Sequence, residues 1–157
     1  MKFPRNLLWT VVWILAATLP APAQLDRVVA EAEGIDCLPC AATIEIAMKQ
    51  IPGVNKVSVS MSKQMVAITF TEQGSFLPQE FRDAIAKAEV RVLAWHVAMR
   101  GKVEQEEGKQ YFVSGKDRFL IAQAPKDLPV GTLIGIMAEI DDSSKPYKAM
   151  IDDFKLQ

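Results

Sequence analysis

The apolar residues between Arg27 and Val103 keep changing period, and the order of those changes limits the fold more than any other feature of the chain. In "RVVAEAEGI" (27–35), valine and alanine alternate with charged residues, the two-residue period of a strand. From Cys40 to Ile51 the period lengthens. Ile44, Ala47, Met48 and Ile51 fall at i, i+3, i+4 and i+7, one face of a helix. "IPGV" (51–54) stops it, because Pro52 cannot continue a helix and Gly53 supplies a turn. "KVSVSM" (56–61) and "MVAITF" (65–70) alternate again around the turn "SKQ", which predicts a hairpin. "LPQEFRDAIAKAEV" (77–90) restores the helical period through Phe81, Ala84, Ile85 and Ala88, with Pro78 suited to the first turn. "VRVLAWHVAMRGKV" (90–103) is a further strand. Strand, helix, strand, strand, helix, strand is the ferredoxin-like βαββαβ order, in which two helices pack on one face of an antiparallel sheet. The expected class is therefore α+β.

After about residue 101 no convincing helix is found. "KVEQEEGKQYFVS" reads as a polar turn between two strand-like pieces, and "DRFLIAQA", "GTLIGIMAEID" and "YKAMIDDFKL" are strand-like, separated by "LPVG" and "DDSSKP". Four or five short strands predict a small C-terminal all-β unit, residues 101–157, for which an OB-like barrel is one arrangement. So short a segment has little core of its own. It is expected to pack on the first unit, residues 24–100, or to share the long strand near 92–103.

The N-terminus reads as an export signal over residues 1–23. Lys2 and Arg5 precede the apolar run "LLWTVVWILAATL", which is too short and wrongly flanked for a membrane span. Ala21 and Ala23 then give the small-x-small pattern that a signal peptidase accepts, so cleavage is expected after Ala23, with an uncleaved anchor as the alternative. No second apolar run follows, so no membrane association is expected after cleavage, and the location would be periplasmic or secreted. Cleavage would reduce the 18 basic residues to 16 against 19 acidic ones, a net charge of −3. That mild charge, without a basic stripe, argues against a nucleic-acid partner. No Ser-His-Asp set, glycine-rich phosphate loop or pair of catalytic carboxylates stands out, and the chain is not expected to be an enzyme. The aspartate pairs at 141–142 and 152–153 lack the spaced oxygen ligands of a calcium loop.

Cys37 and Cys40 are the two cysteines of the chain, at the mouth of the first helix. In an oxidising compartment two thiols tend to pair. A Cys-x-x-Cys bridge closes almost no loop, however, so it stabilises little as a staple, and a chemical role is favoured.

Residues 27 to about 100 resemble the heavy-metal-associated domain of copper chaperones, metal-pumping ATPases and periplasmic mercury-binding proteins. "GIDCLPC" matches the family's Gly-Met-x-Cys-x-x-Cys, "IPGV" its apolar-Pro-Gly-Val, and "KVSVSM…MVAITF" its hairpin. The resemblance implies that Cys37 and Cys40 bind one metal ion. Two thiolates at a helix N-terminus face unpaired N–H groups and the positive end of the dipole, which favours the metal-binding form. Soft ligands suit Cu(I), Hg(II) or, with further ligands, Zn(II). A two-sulfur site leaves the ion open to a third thiolate, so a metal transporter or other metal-accepting protein is the implied partner. Three departures bear on this. Ile35 stands where the family has a buried Met. Asp36 replaces the common Thr before the first cysteine, and is a candidate third ligand toward Zn(II) or else an N-terminal cap or charge. The glycine often found after the second helix is replaced around Glu89–Val90. His96 reads as sheet surface rather than a ligand. Met48, Met61, Met65, Met99, Met137 and Met150 read as packing. A carrier or scavenger of a soft metal is the leading expectation. A thiol–disulfide protein, for which Pro39 between the cysteines speaks, and an interaction module on the same fold remain open.

Overall fold

A computed structural model describes residues 24–157. The reading of residues 1–23 as an export signal lies outside the described residues. Strand β1 (Gln24–Glu33) buries Leu25, Val28, Ala30 and Ala32, and a register shift between Leu25 and Arg27 lets both ends of the strand face inward. Helix α1 (Leu38–Lys49) begins two residues before the periodicity suggested, and buries Ile44, Ala47 and Met48. It ends at Lys49, two residues before Ile51, and the chain then turns at Gly53, which takes φ +85 and lies so close to Gly74 that a Cβ would sit 2.7 Å from the Gly74 Cα. Strands β2 (Val54–Ser60) and β3 (Met65–Phe70) form the hairpin, with Val57, Val66, Ile68 and Phe70 inward. Helix α2 (Pro78–Ala86) buries Phe81, Ala84 and Ile85. It ends four residues earlier than the sequence reading, at a point where Glu89 adopts φ +60. Strand β4 (Arg91–Glu106) completes the first unit, and the antiparallel order β2-β3-β1-β4 with two helices is the ferredoxin-like arrangement.

β4 runs on through residues 100 and 101, where the sequence changes character. It is joined by β5 (Lys109–Ser114), β6 (Asp117–Gln123), β7 (Leu133–Asp141) and β8 (Lys148–Leu156). The pairings β4–β5, β5–β6, β6–β8, β8–β7 and β7–β4 close a five-stranded ring, parallel only between β6 and β8. β4 pairs β1 through Arg91–Arg100 and β5 through Lys102–Glu106, while His96–Lys102 pair β7. Gly101 stands where the partner changes. A Cβ there would lie 2.1 Å from the Val113 carbonyl oxygen, so only glycine allows the two backbones to meet.

One continuous core joins the units. Phe76, just before α2, touches Trp95 and Phe119 at 5.8 Å and Tyr147 at 6.0 Å between ring centroids, edge-on or tilted as aromatic pairs prefer. Two polar fastenings flank this cluster. Arg82 of α2 grips Asp142 of the β7–β8 loop with Nε–Oδ2 at 2.8 Å and Nη2–Oδ1 at 2.7 Å. Its other nitrogen donates to the Val92 carbonyl at 3.0 Å, and the guanidinium lies over Trp95 at 5.3 Å. Asp117 of β6 accepts from the Ser75 hydroxyl and, at 2.8 Å, from the Phe76 N–H.

Candidate metal centre

The cysteine loop is built from both ends. β1 stops at Glu33, and Gly34 turns the chain at φ +96, where an added Cβ would meet Glu89 O at 3.6 Å and Val90 Cα at 3.9 Å on the loop after α2. Ile35 is completely buried, so it anchors the loop where the family resemblance has a methionine. Gln64, the last residue of the β2–β3 turn, holds Ile35 by its backbone. The Ile35 N–H donates to Gln64 Oε1 at 3.0 Å, and Gln64 Nε2 donates to the Ile35 carbonyl at 3.1 Å and the Met61 carbonyl at 2.7 Å.

Cys37 follows in extended conformation and is the N-cap of α1. Its Sγ accepts a hydrogen bond from the Cys40 N–H at 3.0 Å, and its carbonyl accepts from the Ala41 N–H at 3.1 Å. This corrects one alternative for Asp36: it does not cap the helix, and the first turn of α1 holds no acidic residue. Pro39 fits the first turn because the N–H it lacks would have no partner there. Cys37 and Cys40 are partly exposed, with Leu38 73% exposed between them. The two sulfurs are joined in a disulfide, with the Cα atoms 5.1 Å apart. The spacing therefore brings both sulfurs to one point at an open corner of the molecule. In the closed form they share electrons with each other, and reduction is needed before either can act as a thiolate ligand.

The other residues singled out from the sequence lie as follows. Asp36 is exposed beside Cys37, and among the described residues no three His, Cys, Asp or Glu side chains gather into a metal-sized group. His96 is on β4, its Nε2 3.0 Å from a Glu31 carboxylate oxygen, in keeping with sheet surface. Met48 and Met99 are buried, but Met137 is 52% exposed, so packing does not account for it. Gln64 was not legible as part of the site, and Glu89 was marked only as the place where the family's glycine is replaced, not as a left-handed residue. Nothing in "SKQ" tells that a side chain reaches 29 residues back, and "AKAEV" carries no glycine to mark a left-handed residue.

Residues 29–90 match the family model described as the heavy-metal-associated domain, and the C-terminal ring lies outside the match. No curated protein matches the chain. Among solved structures the chain is similar to the CopZ metallochaperone, at 22% identity over 43% of this chain and 98% of that one, TM-score 0.39. It is also similar to the N-terminal domain of PacS from Synechocystis PCC6803, at 29% identity over 43% and 96%, TM-score 0.35. For the N-terminal domain of ZntA in the apo form the identity is 25% over 45% and 94%, TM-score 0.39. Among the described residues no helix is long and apolar enough to cross a membrane.

Proposed function

We propose that the protein is an exported carrier or scavenger of one soft metal ion, Cu(I), Hg(II) or Zn(II), taken as cargo by the reduced Cys37 and Cys40. The observation that carries this reading is the meeting of the two sulfurs at the exposed start of α1, within the segment that matches the heavy-metal-associated domain. Two thiolates give a soft, low-coordinate site. The Cys40 N–H already aimed at Cys37 Sγ would stabilise the negative sulfur that a metal needs. Exposure of the corner leaves room for a thiolate of a metal-accepting protein or transporter to enter and take the ion. Residues 1–23 support export to a periplasmic or secreted location. The strand order of the ring, with its single parallel pair, supports reading the C-terminal unit as a small OB-like barrel.

The test is a titration of reduced, oxygen-free protein with Cu(I), Zn(II) and Hg(II) against competing chelators. One ion per chain is expected, lost in Cys37→Ser/Cys40→Ser. Equal binding by that variant would sink the reading. An Asp36→Ala variant weakened for Zn(II) alone would identify the carboxylate as a ligand. The closed disulfide favours a second reading, a thiol–disulfide protein, and catalysis of insulin reduction separates the two.

A further inference from the structure

Ile35 stands two residues before Cys37 and is held on every side. Its side chain is fully buried, its N–H and C=O are both bonded to the Gln64 carboxamide, and Gly34 before it faces the loop after α2, within reach of an added Cβ. Gln64 thus does for Ile35 what a neighbouring strand would do, using one side chain. Its own orientation is fixed in turn. Nε2 is shared with the Met61 carbonyl at 2.7 Å, the Gln64 backbone carbonyl accepts from the Ala32 N–H at 2.9 Å, and the residue sits at φ +50. A non-glycine residue in that conformation carries a conformational cost that the surrounding bonds must offset.

We propose that Gln64 is the positioning residue of the Cys37–Cys40 site, acting through Ile35 to hold the loop in the one shape that brings the two sulfurs together. Two reactions draw on that shape. One is capture of a soft ion by the dithiol, which rests on the reading given above. The other is closure of the disulfide, which does not. In closure the two thiols give up two electrons and two protons. With glutathione disulfide as oxidant, its S–S bond breaks, the Cys37–Cys40 bond forms, and two molecules of glutathione leave. Each reaction requires both sulfurs at one centre, and a loop already ordered loses less freedom in reaching it. Removing the clamp weakens both reactions by a similar factor, whereas a residue that merely stabilised the fold would change neither in molecules that remain folded.

The experiment compares the protein with Gln64→Met, which keeps the side-chain length and lacks the hydrogen bonds, and with Gln64→Glu, which can accept from the Ile35 N–H but donates to neither carbonyl. A Lys63→Gln variant controls for a change elsewhere in the turn. Folded protein is equilibrated with reduced and oxidised glutathione and the disulfide fraction is read by thiol alkylation and mass spectrometry. Cu(I) affinity of the reduced form is read by chelator competition. The expected result is a fall of about tenfold or more in both constants for Gln64→Met, the scale on which outer partners of a metal ligand act, with Lys63→Gln unchanged. If Gln64→Met does not fold, Gln64→Glu decides by the same comparison. An unchanged glutathione equilibrium in a folded variant overturns the proposal, as does a fall confined to copper. Failure of the reduced wild-type protein to bind metal would sink the carrier reading instead, and the disulfide equilibrium would then decide the role of Gln64 alone.

Discussion

Replacing Asp142 by alanine tests how firmly the C-terminal ring is fastened to α2. The carboxylate is 16% exposed and its partner Arg82 33% exposed, and two charge-assisted hydrogen bonds of 2.7 and 2.8 Å join them. Breaking a fully buried pair by deleting one partner costs roughly 3–5 kcal/mol, whereas an exposed pair is worth about 0–1 kcal/mol. The intermediate burial places Asp142→Ala at about 2 kcal/mol after allowance for solvent screening. With a urea slope of about 2 kcal/mol per molar for a domain of this size, the midpoint should fall by about 1 M. Trp95 is the one tryptophan after residue 23 and lies under the Arg82 guanidinium, so its fluorescence in protein without residues 1–23 reports the transition at this spot. The effect has a signed pH dependence. The Arg82 hydrogen bonds, opposed by desolvation, hold the Asp142 carboxyl below the usual carboxylate range. Its contribution is therefore present above the unfolded-state value near about 4 and is lost as pH falls through the lower folded-state value. Wild type and Asp142→Ala should differ at pH 7 and converge toward pH 2. A difference under about 0.5 kcal/mol at pH 7, the size of an ordinary surface change, or one independent of pH, would refute the reasoning. Arg82→Met should cost more than Asp142→Ala, because it also loses the Val92 carbonyl bond and the contact with Trp95.

Three further outcomes are expected. Burial raises the Asp117 carboxyl above its ordinary range, against the hydrogen bonds from Ser75 and Phe76. The folded state therefore holds its proton more firmly than the unfolded chain, and stability falls as pH rises from the unfolded-state value through the folded one. In Asp117→Asn that slope should vanish, so denaturation midpoints should favour the variant more at pH 7 than at pH 4, even though one acceptor is lost. Glu89→Gly should raise stability by up to about 1 kcal/mol in thermal or urea unfolding, since φ +60 after α2 suits glycine at a helix C-terminus. Gly101→Ala should cost about 3 kcal/mol, because a methyl 2.1 Å from the Val113 carbonyl must push β5 off β4. Hydrogen exchange would show the loss of protection at the β4–β5 pairs first.

Much of the first unit was legible because its signals are local. Val66, Ile68 and Phe70 alternate and are buried, and Ile44, Ala47 and Met48 recur at the helical period and are buried. Pro52-Gly53 marks a stop that the backbone obeys. That the two cysteine sulfurs can meet was legible from their spacing, while their chemistry was not. What escaped the sequence depends on contacts between distant residues. The Gln64 carboxamide serves a loop 29 residues earlier in the chain, and a glutamine in a turn gives no sign of that. Asp36 looked like a cap because carboxylates often are. Cys37 took the position instead, since its sulfur reaches the Cys40 N–H from one residue further on.

The end of α2 and the course of β4 show the same limit from another side. Helical periodicity continues to Ala88, yet the helix stops at Ala86, because the chain must turn at Glu89 to bring Val90 and Val92 back into the core. In β4 the alternation slips once, at the register shift between Val92 and Ala94, and then continues from Trp95 to Val103, where no break in pattern records that one edge changes partner from β1 to β5 at Gly101. A pattern of inward and outward residues describes faces, while a change of partner happens at an edge, so it left no trace except the glycine. That one strand carries His96–Arg100 in pairings with β1 and with β7 at once. Removal of the ring would leave this stretch with an open edge and would uncover Phe76 and Trp95 beside it. The cysteine loop lies beside the same framework, since Gly34 faces Glu89 and Val90, which lead directly into β4. The geometry of the two sulfurs is thus supported from one side by the hairpin through Gln64 and from the other by a strand that the C-terminal ring holds in place.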